Sequence, residues 1–262
     1  MKALPRRLGH RDEASLVDHL DELRGRLFVM LAALAVGAIA AYAVHGHILG
    51  WLERPLPADH RQLVTFGVTE PFTVTLTVSI YAGFLLALPV ILWQLWGFFA
   101  PALEPQAERR ALGLAVFAAA LGGCGLAFGY LILLPRALHF LTNYDQAQFH
   151  ILIQAQGYIK FVSTVLLGVV CIFELPMVVL GLVHVGALTA ARLRRNRRLG
   201  YFVVAVIALA LPGPDPVTTA LELLPMWILF EGSIWLAVVT ERRAKRTQLR
   251  MRIAEEGAGR SV

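Results

Sequence analysis

Long apolar runs broken by short polar stretches occupy this chain from Leu27 to Val239. The runs are Leu27–Val44, Phe72–Phe99, Ala111–Leu134, Phe161–Val183, Leu199–Leu211 and Val217–Val239. No soluble domain of this size has an interior able to hide them all, and continuous rather than alternating apolar runs specify helices, not a barrel. The pattern predicts an all-α integral membrane protein with six transmembrane helices. Two runs depart from ordinary span length. At about 1.5 Å per residue, Pro71 to Leu103 would reach about 50 Å as a straight helix, against a hydrocarbon core of about 30 Å. It is expected to kink at Pro89 and Pro101 and to continue past the lipid. Leu199–Leu211 supplies only about 20 Å before Pro212-Gly-Pro-Asp-Pro216 stops it, giving short fifth and sixth helices. Pro89, Pro135, Pro176 and Pro225 predict bent helices forming a cupped, concave wall.

Local signals refine the boundaries. Ser15 followed by Asp18 has the form of a capping box, so a helix is expected to begin there. Leu16, Leu20, Leu23 and Leu27 share one stripe, with Asp18, Asp21 and Glu22 to its side, which predicts an amphipathic segment along the interface that then turns into the first span. Arg54-Pro-Leu-Pro57 and Thr69-Glu-Pro-Phe72 should interrupt helix. Gly122, Gly125 and Gly129 mark close helix packing rather than a ligand site. The organisation expected is an N-terminal arm 1–14, a six-helix membrane domain 15–239 and a basic tail 240–262.

Charge orients the spans. Lysines and arginines number six in 1–26, two in 100–110, five in 184–198 and seven in 240–262, against only Arg54, Arg61, Arg136 and Lys160 on the other face. Twenty against four places both termini in the cytoplasm. The net charge of +6 then reports orientation and anionic lipids as partners, not nucleic acid. The hydrophobic fraction of 57% and mean hydropathy of +0.64 agree with the class. The N-terminus lacks the short apolar core and small-residue site of a cleaved secretory signal, so none is expected. Cys124 and Cys171 fall inside spans and are expected to pack there, not to pair.

Glu174 stands out. It lies deep in Phe161–Val183, where a charge costs about 2.5–3.5 kcal/mol on insertion scales, so it needs a partner, a watery cavity or a proton. The plain structural account is a neutral acid bonded to the carbonyl that Pro176 frees; the functional account is the polar floor of a concave face that receives another helix, with Gln94 adding polar lining. Glu22 and Glu108 lie at the cytoplasmic ends of the first and third spans. Taken alone, Glu22 is explained by an i,i+4 pair with Arg26 and Glu108 by the first turn of a helix. Together they also offer what a paired-arginine ligand needs, since guanidinium forks make two-point contacts with carboxylates that lysine cannot copy. Asp215 reads as the N-cap before Pro216, and Glu222 and Glu231 remain open, one of them a candidate to face a cavity.

Searches for chemistry return no Walker loop, no His-Glu-x-x-His helix and no Gly-x-Ser-x-Gly turn. His45-Gly-His47 is a weak metal signal. No cofactor is expected, and no enzyme.

The ordered motifs resemble those of the TatC family, the TatC subunit of the twin-arginine (Sec-independent) protein translocase. They are His19-Leu-Asp-Glu-Leu-Arg24, Pro71-Phe72, Leu88-Pro-Val-Ile-Leu-Trp-Gln-Leu-Trp-Gly-Phe-Phe-Ala-Pro-Ala-Leu103, Glu108-Arg-Arg110, Phe173-Glu-Leu-Pro176, Pro212-Gly-Pro-Asp215 and Leu224-Pro-Met-Trp-Ile-Leu-Phe-Glu231. The resemblance spans roughly residues 15 to 240. It implies a bacterial inner-membrane receptor and scaffold for twin-arginine signal peptides of folded cargo, driven by the protonmotive force. Implied partners are single-span TatA/TatB-type subunits and other TatC copies. Carried over, Glu22 and Glu108 hold the arginine pair, Arg24, Phe98 and Leu103 belong to the same recognition surface, and Glu174 lies where partner helices or the signal's apolar part pack. Pro55 and Asp215 match far-side positions. The loop from Leu103 to Glu108 is one residue longer than the family spacing, leaving Glu104 as the alternative carboxylate. Asp21 and Thr219 also depart from the usual pattern. The competing function class is a proton-coupled small-solute transporter using Glu174, but the short fifth span has no counterpart in the first half, as an inverted repeat would require.

Overall fold

The apolar runs fold as α-helices in a computed structural model that describes residues 11–57, 61, 63–99, 107–145, 151–184, 188–210 and 216–259. Within these, the side chains of 11–20, 96, 98–99, 107–112, 114, 184 and 243–259 are not described. The helices are α1 (Arg11–Ala43), α2 (His45–Glu53), α3 (Glu70–Phe99), α4 (Ala107–Phe128), α5 (Leu134–Asn143), α6 (Ala155–Phe173), α7 (Leu175–His184), α8 (Ala190–Arg195), α9 (Arg197–Ala210) and α10 (Pro216–Gly259). Among the described residues, five stretches are long and apolar enough to cross a membrane: Asp21–Ala43, Glu70–Leu95, Ala115–Asn143, Ala155–Val183 and Pro216–Arg242. The chain is a multi-pass, mostly helical membrane protein. With 14 residues, about 21 Å, α9 falls short of that length.

Several boundaries differ from expectation. Ser15 lies inside α1, which already begins by Arg11, so it caps nothing. The chain does not turn between an interfacial segment and the first span. One unbroken helix of 33 residues, about 50 Å, carries both. Likewise α10 is not the short last helix expected: it runs 44 residues, past 239 to Gly259 through the basic tail, because Pro225 sits inside it without ending it. The prolines break helix where expected: α2 ends at Glu53, before Arg54-Pro55, and α3 starts at Glu70 with Pro71 in its first turn, where a missing N–H costs nothing. Cys124 and Cys171 are unpaired and exposed, not packed; they occupy outward helix faces, which an apolar solvent tolerates.

Glycines set the helix contacts. α1 and α3 touch backbone to backbone: a Cβ on Gly37 would sit 2.6 Å from the Gly83 carbonyl oxygen, and one on Gly83 would overlap the backbone of Ala38. The stripe Gly122, Gly125, Gly129 faces α6 and the residue just past its end, where added carbons would meet Glu174, Phe173 and Leu166 at 3.0, 2.9 and 3.0 Å. Packing is thus the role of all three. Between α4 and α5 the chain widens into a π-turn, Gly129–Leu133, in which the Leu134 N–H reaches the Gly129 carbonyl. Pro135 follows directly, and the wider turn accommodates a residue that cannot donate to the ladder. α9 packs on α10 by seating the Phe230 ring on Gly200. Beside it Tyr201 donates to Glu231, whose other oxygen lies 3.3 Å from Arg197. Glu231 therefore joins two helices.

The largest apolar core lies at the end of the bundle opposite the N-terminal end of α1. Leu52, Leu56, Val74, Leu133, Tyr158 and Ile159 are among its buried members. Polar side chains clasp the same end. The Tyr130 and Tyr158 hydroxyls donate to the carbonyls of Trp51 and Leu52 at 2.8 and 2.6 Å, satisfying the C-terminus of α2. The Tyr130 ring also stacks on Trp51 at 3.7 Å. Val64 and Gln154 form a parallel bridge, with Val64 N–H on the Ile153 carbonyl and Ala155 N–H on that of Val64.

Candidate functional site

Three polar loci emerge from the apolar bundle. The first is at the end of α1 nearest its N-terminus. Glu22 and Arg26 are one helical turn apart and share a face. The Arg26 guanidinium donates to Glu22 Oε1 from Nε at 3.1 Å and from Nη2 at 2.6 Å. Its third arm, Nη1, donates to the Gln94 carbonyl of α3 at 3.2 Å. Gly97 makes this possible, because a Cβ there would collide with Nη1. The Glu22 side chain keeps 37% of its surface exposed and Arg26 23%. An exposed i,i+4 pair is worth only a few tenths of a kcal/mol. Arg24 points elsewhere, its guanidinium 5.7 Å from the centre of the Phe28 ring.

The other residues expected here are only partly described. Phe98 lies in the last turn of α3 and Glu108 in the first turn of α4, with backbone but not side chain described. Leu103 and Glu104, between those helices, lie outside the described residues, as does Asp215. The backbone carbonyl of Gln94, half-buried in α3, accepts from Arg26.

The second locus is Glu174, where the helix breaks between α6 and α7. Its φ and ψ of −80° and −6° leave the regular helix, and its N–H is shared between the Val170 and Cys171 carbonyls at 3.2 Å each. Pro176 supplies the reason, having no N–H with which to continue the ladder. The side chain is 4% exposed, and neither carboxyl oxygen has a hydrogen-bond partner among the described residues. The bond to a freed carbonyl offered by the plain structural account is not made. The carboxyl lies against Gly122, beside a cavity of about 150 Å³ lined by Leu85, Leu88, Pro89, Ala119, Gly122 and Gly123 among others. A carboxyl buried without a hydrogen-bond partner costs several kcal/mol.

The third locus is the clasped opposite end. Pro55, half-buried, sits in the turn after α2, and Arg61 ties that turn together by donating to the carbonyls of Leu56 and Arg54 at 3.2 and 3.4 Å. Glu70 was not anticipated. It is 5% exposed and accepts N–H bonds from Phe66 at 2.8 Å, Gly67 at 3.4 Å and Gln156 at 3.1 Å. The available signal was an acid directly before the proline that opens a helix, a place that favours negative charge. His45 Nδ1 lies 2.7 Å from the Tyr42 carbonyl, and no cluster of three metal-ligating side chains occurs among the described residues.

Comparison with known proteins places this arrangement. Residues 18–225 match the family described as Sec-independent protein translocase protein (TatC). The chain is 32% identical to the Sec-independent protein translocase protein TatCd of Bacillus subtilis (strain 168) over 238 residues, covering 91% of this chain and 97% of that one. It is 36% identical to the chloroplastic TATC protein of Arabidopsis thaliana over 234 residues, covering 88% and 68%. Among solved structures it is similar to a crystal structure of the twin arginine translocase receptor TatC in DDM, with a TM-score of 0.74 and 31% identity over 84% of this chain and 99% of that one.

Proposed function

Because the chain belongs to the TatC family of Sec-independent protein translocase proteins, we propose that it is the receptor and scaffold of a twin-arginine translocase in the bacterial inner membrane. It binds twin-arginine signal peptides of folded cargo at its cytoplasmic face and gathers single-span TatA/TatB-type subunits and further copies of itself. It carries no covalent chemistry, and the protonmotive force supplies the energy. The observation that supports this reading best is that Glu22 already holds a guanidinium, with two donors on one oxygen. Glu108, in the first turn of α4, is the second carboxylate of the pair, beside Arg24, Phe98 and Leu103. Pro55 and Asp215 serve the far side.

Both termini are cytoplasmic and the spans number six, with α9 crossing where its 14 residues thin the bilayer locally. The twenty-to-four distribution of basic residues supports this orientation. Externally added thiol reagent is expected to label Arg61→Cys and not Arg195→Cys in intact cells; the reverse result overturns the topology.

Glu174 receives a polar group from a partner helix. Photo-crosslinking tests both parts of the reading. A twin-arginine peptide carrying the photoprobe beside the pair is expected to crosslink the full-length protein, and a lysine-pair peptide to do so far less. Glu174→Gln keeps the crosslink but loses co-purification of a single-span subunit. Equal crosslinking of both peptides removes the receptor reading. Wild-type assembly by Glu174→Gln returns that acid to a structural role. A proton-coupled solute carrier would lose transport in Glu174→Gln while showing no preference between the peptides.

A further inference from the structure

Arg26 occupies the very carboxylate assigned to the signal. Its guanidinium makes all three of its contacts at once, two to Glu22 Oε1 and one to the Gln94 carbonyl of the neighbouring helix. The slot on α3 is shaped for it: Gly97 leaves space that a single Cβ would fill. An arginine entering from outside thus meets a carboxylate already neutralised and held by the same chemical group. We propose that Arg26 is an internal placeholder, a tethered arginine that a signal arginine must displace from Glu22. The inference rests on Glu22 being part of the signal site.

A tethered competitor has a defined consequence. It raises the apparent dissociation constant of every external cation by one common factor, the reciprocal of the fraction of time the carboxylate is open. The ratio between arginine-pair and lysine-pair peptides is therefore unchanged. What changes is the threshold: the common factor carries the weaker, single-point ammonium contact beyond its working concentration, while the fork of a guanidinium still competes. A pair as exposed as this one is opened readily, so the factor is modest, about two- to fivefold. Recognition is thereby strict without the receptor holding cargo too tightly to release it.

Fluorescence anisotropy of labelled arginine-pair and lysine-pair signal peptides, with the full-length protein in lipid nanodiscs, tests this. Arg26→Gln is expected to tighten both peptides by about threefold with their ratio preserved. Two variants keep the positive charge and so separate displacement from simple loss of repulsion. Arg26→Lys removes the fork, and Gly97→Ala expels the guanidinium from the α3 slot; both are expected to tighten both peptides. In a Glu22→Gln background, Arg26→Gln should have no further effect. If Arg26→Gln weakens the arginine-pair peptide, Arg26 positions Glu22 instead and the placeholder is wrong. Tightening by Arg26→Gln alone, with both charge-preserving variants at wild-type affinity, also overturns it. If Glu22→Gln leaves binding unchanged, it is the signal-site reading itself that fails. Weakened binding by Glu22→Gln with no tightening in any Arg26 or Gly97 variant removes only the placeholder.

Discussion

Glu22→Gln and Glu108→Gln are each expected to weaken binding of a twin-arginine peptide at least tenfold, about 1.4 kcal/mol, in titrations at both low and physiological salt. Magnitude decides between two accounts of these acids. A fully exposed ion pair contributes about 0–1 kcal/mol and fades with salt. A partly desolvated guanidinium–carboxylate contact loses about 2–5 kcal/mol when one side is truncated. Glu22 sits between those limits, with 37% of its side chain exposed and one oxygen facing α3 through Arg26. The lysine-pair peptide, lacking the fork, should distinguish wild type from variant far less. Glu104→Gln belongs in the same series, since the lengthened loop offers it as the alternative second carboxylate. Wild-type affinity in both Glu22→Gln and Glu108→Gln would reduce the two acids to helix-end electrostatics.

The second large effect is on the fold. Gly83→Val should separate α1 from α3 and lower stability by about 3 kcal/mol or more, roughly a hundredfold in the folded population. The added carbons have no side chain to push aside, because they meet the backbone of Gly37 and Ala38. Gly37→Val meets the Gly83 carbonyl from the other side and should behave alike. Gly123→Ala is the control, since nothing lies within 4 Å of its added carbon. Proteolysis and denaturant titration in micelles would read the difference. A Gly83→Val protein as resistant as Gly123→Ala would mean that the two helices are held by something other than this contact.

Much of this architecture is legible from hydrophobic length alone, because lipid demands long, internally bonded helices and leaves the chain few alternatives. The helix limits at Arg54-Pro55 and Pro71, the break at Pro176 and the packing role of Gly122, Gly125 and Gly129 all follow from residues with a single strong stereochemical preference. What escaped was decided by cooperation rather than by residue type. Ser15 has the form of a cap, yet Arg11, Glu13 and Ala14 before it are good helix formers, and propagation past Ser15 outweighs one capping bond. Glu70 looked like part of a helix-breaking loop, but its role needs Gln156, 86 residues away. Glu174 was conspicuous from sequence, although its lack of any bond to the carbonyls around Pro176 emerges only once the neighbouring helices are placed. The bond from Arg26 to the Gln94 backbone carbonyl likewise needs α1 and α3 packed together, which no residue type announces.

The Glu70 clasp also imposes an order on how the chain is made. α1 and α3 can dock as soon as α3 is synthesised, because their contact is local in sequence. Until then and for some time after, Glu70 has only the Phe66 and Gly67 amides beside it. Its third donor, on Gln156, emerges 86 residues later, roughly 4–17 seconds at ordinary elongation rates of about 5–20 residues per second. The strand-like bridge of Val64 to Gln154 must wait equally long. Biogenesis therefore proceeds through a half-built intermediate whose first hairpin is set while the end that holds Glu70 gapes. Emergence of the first turn of α6 is the event that seals it.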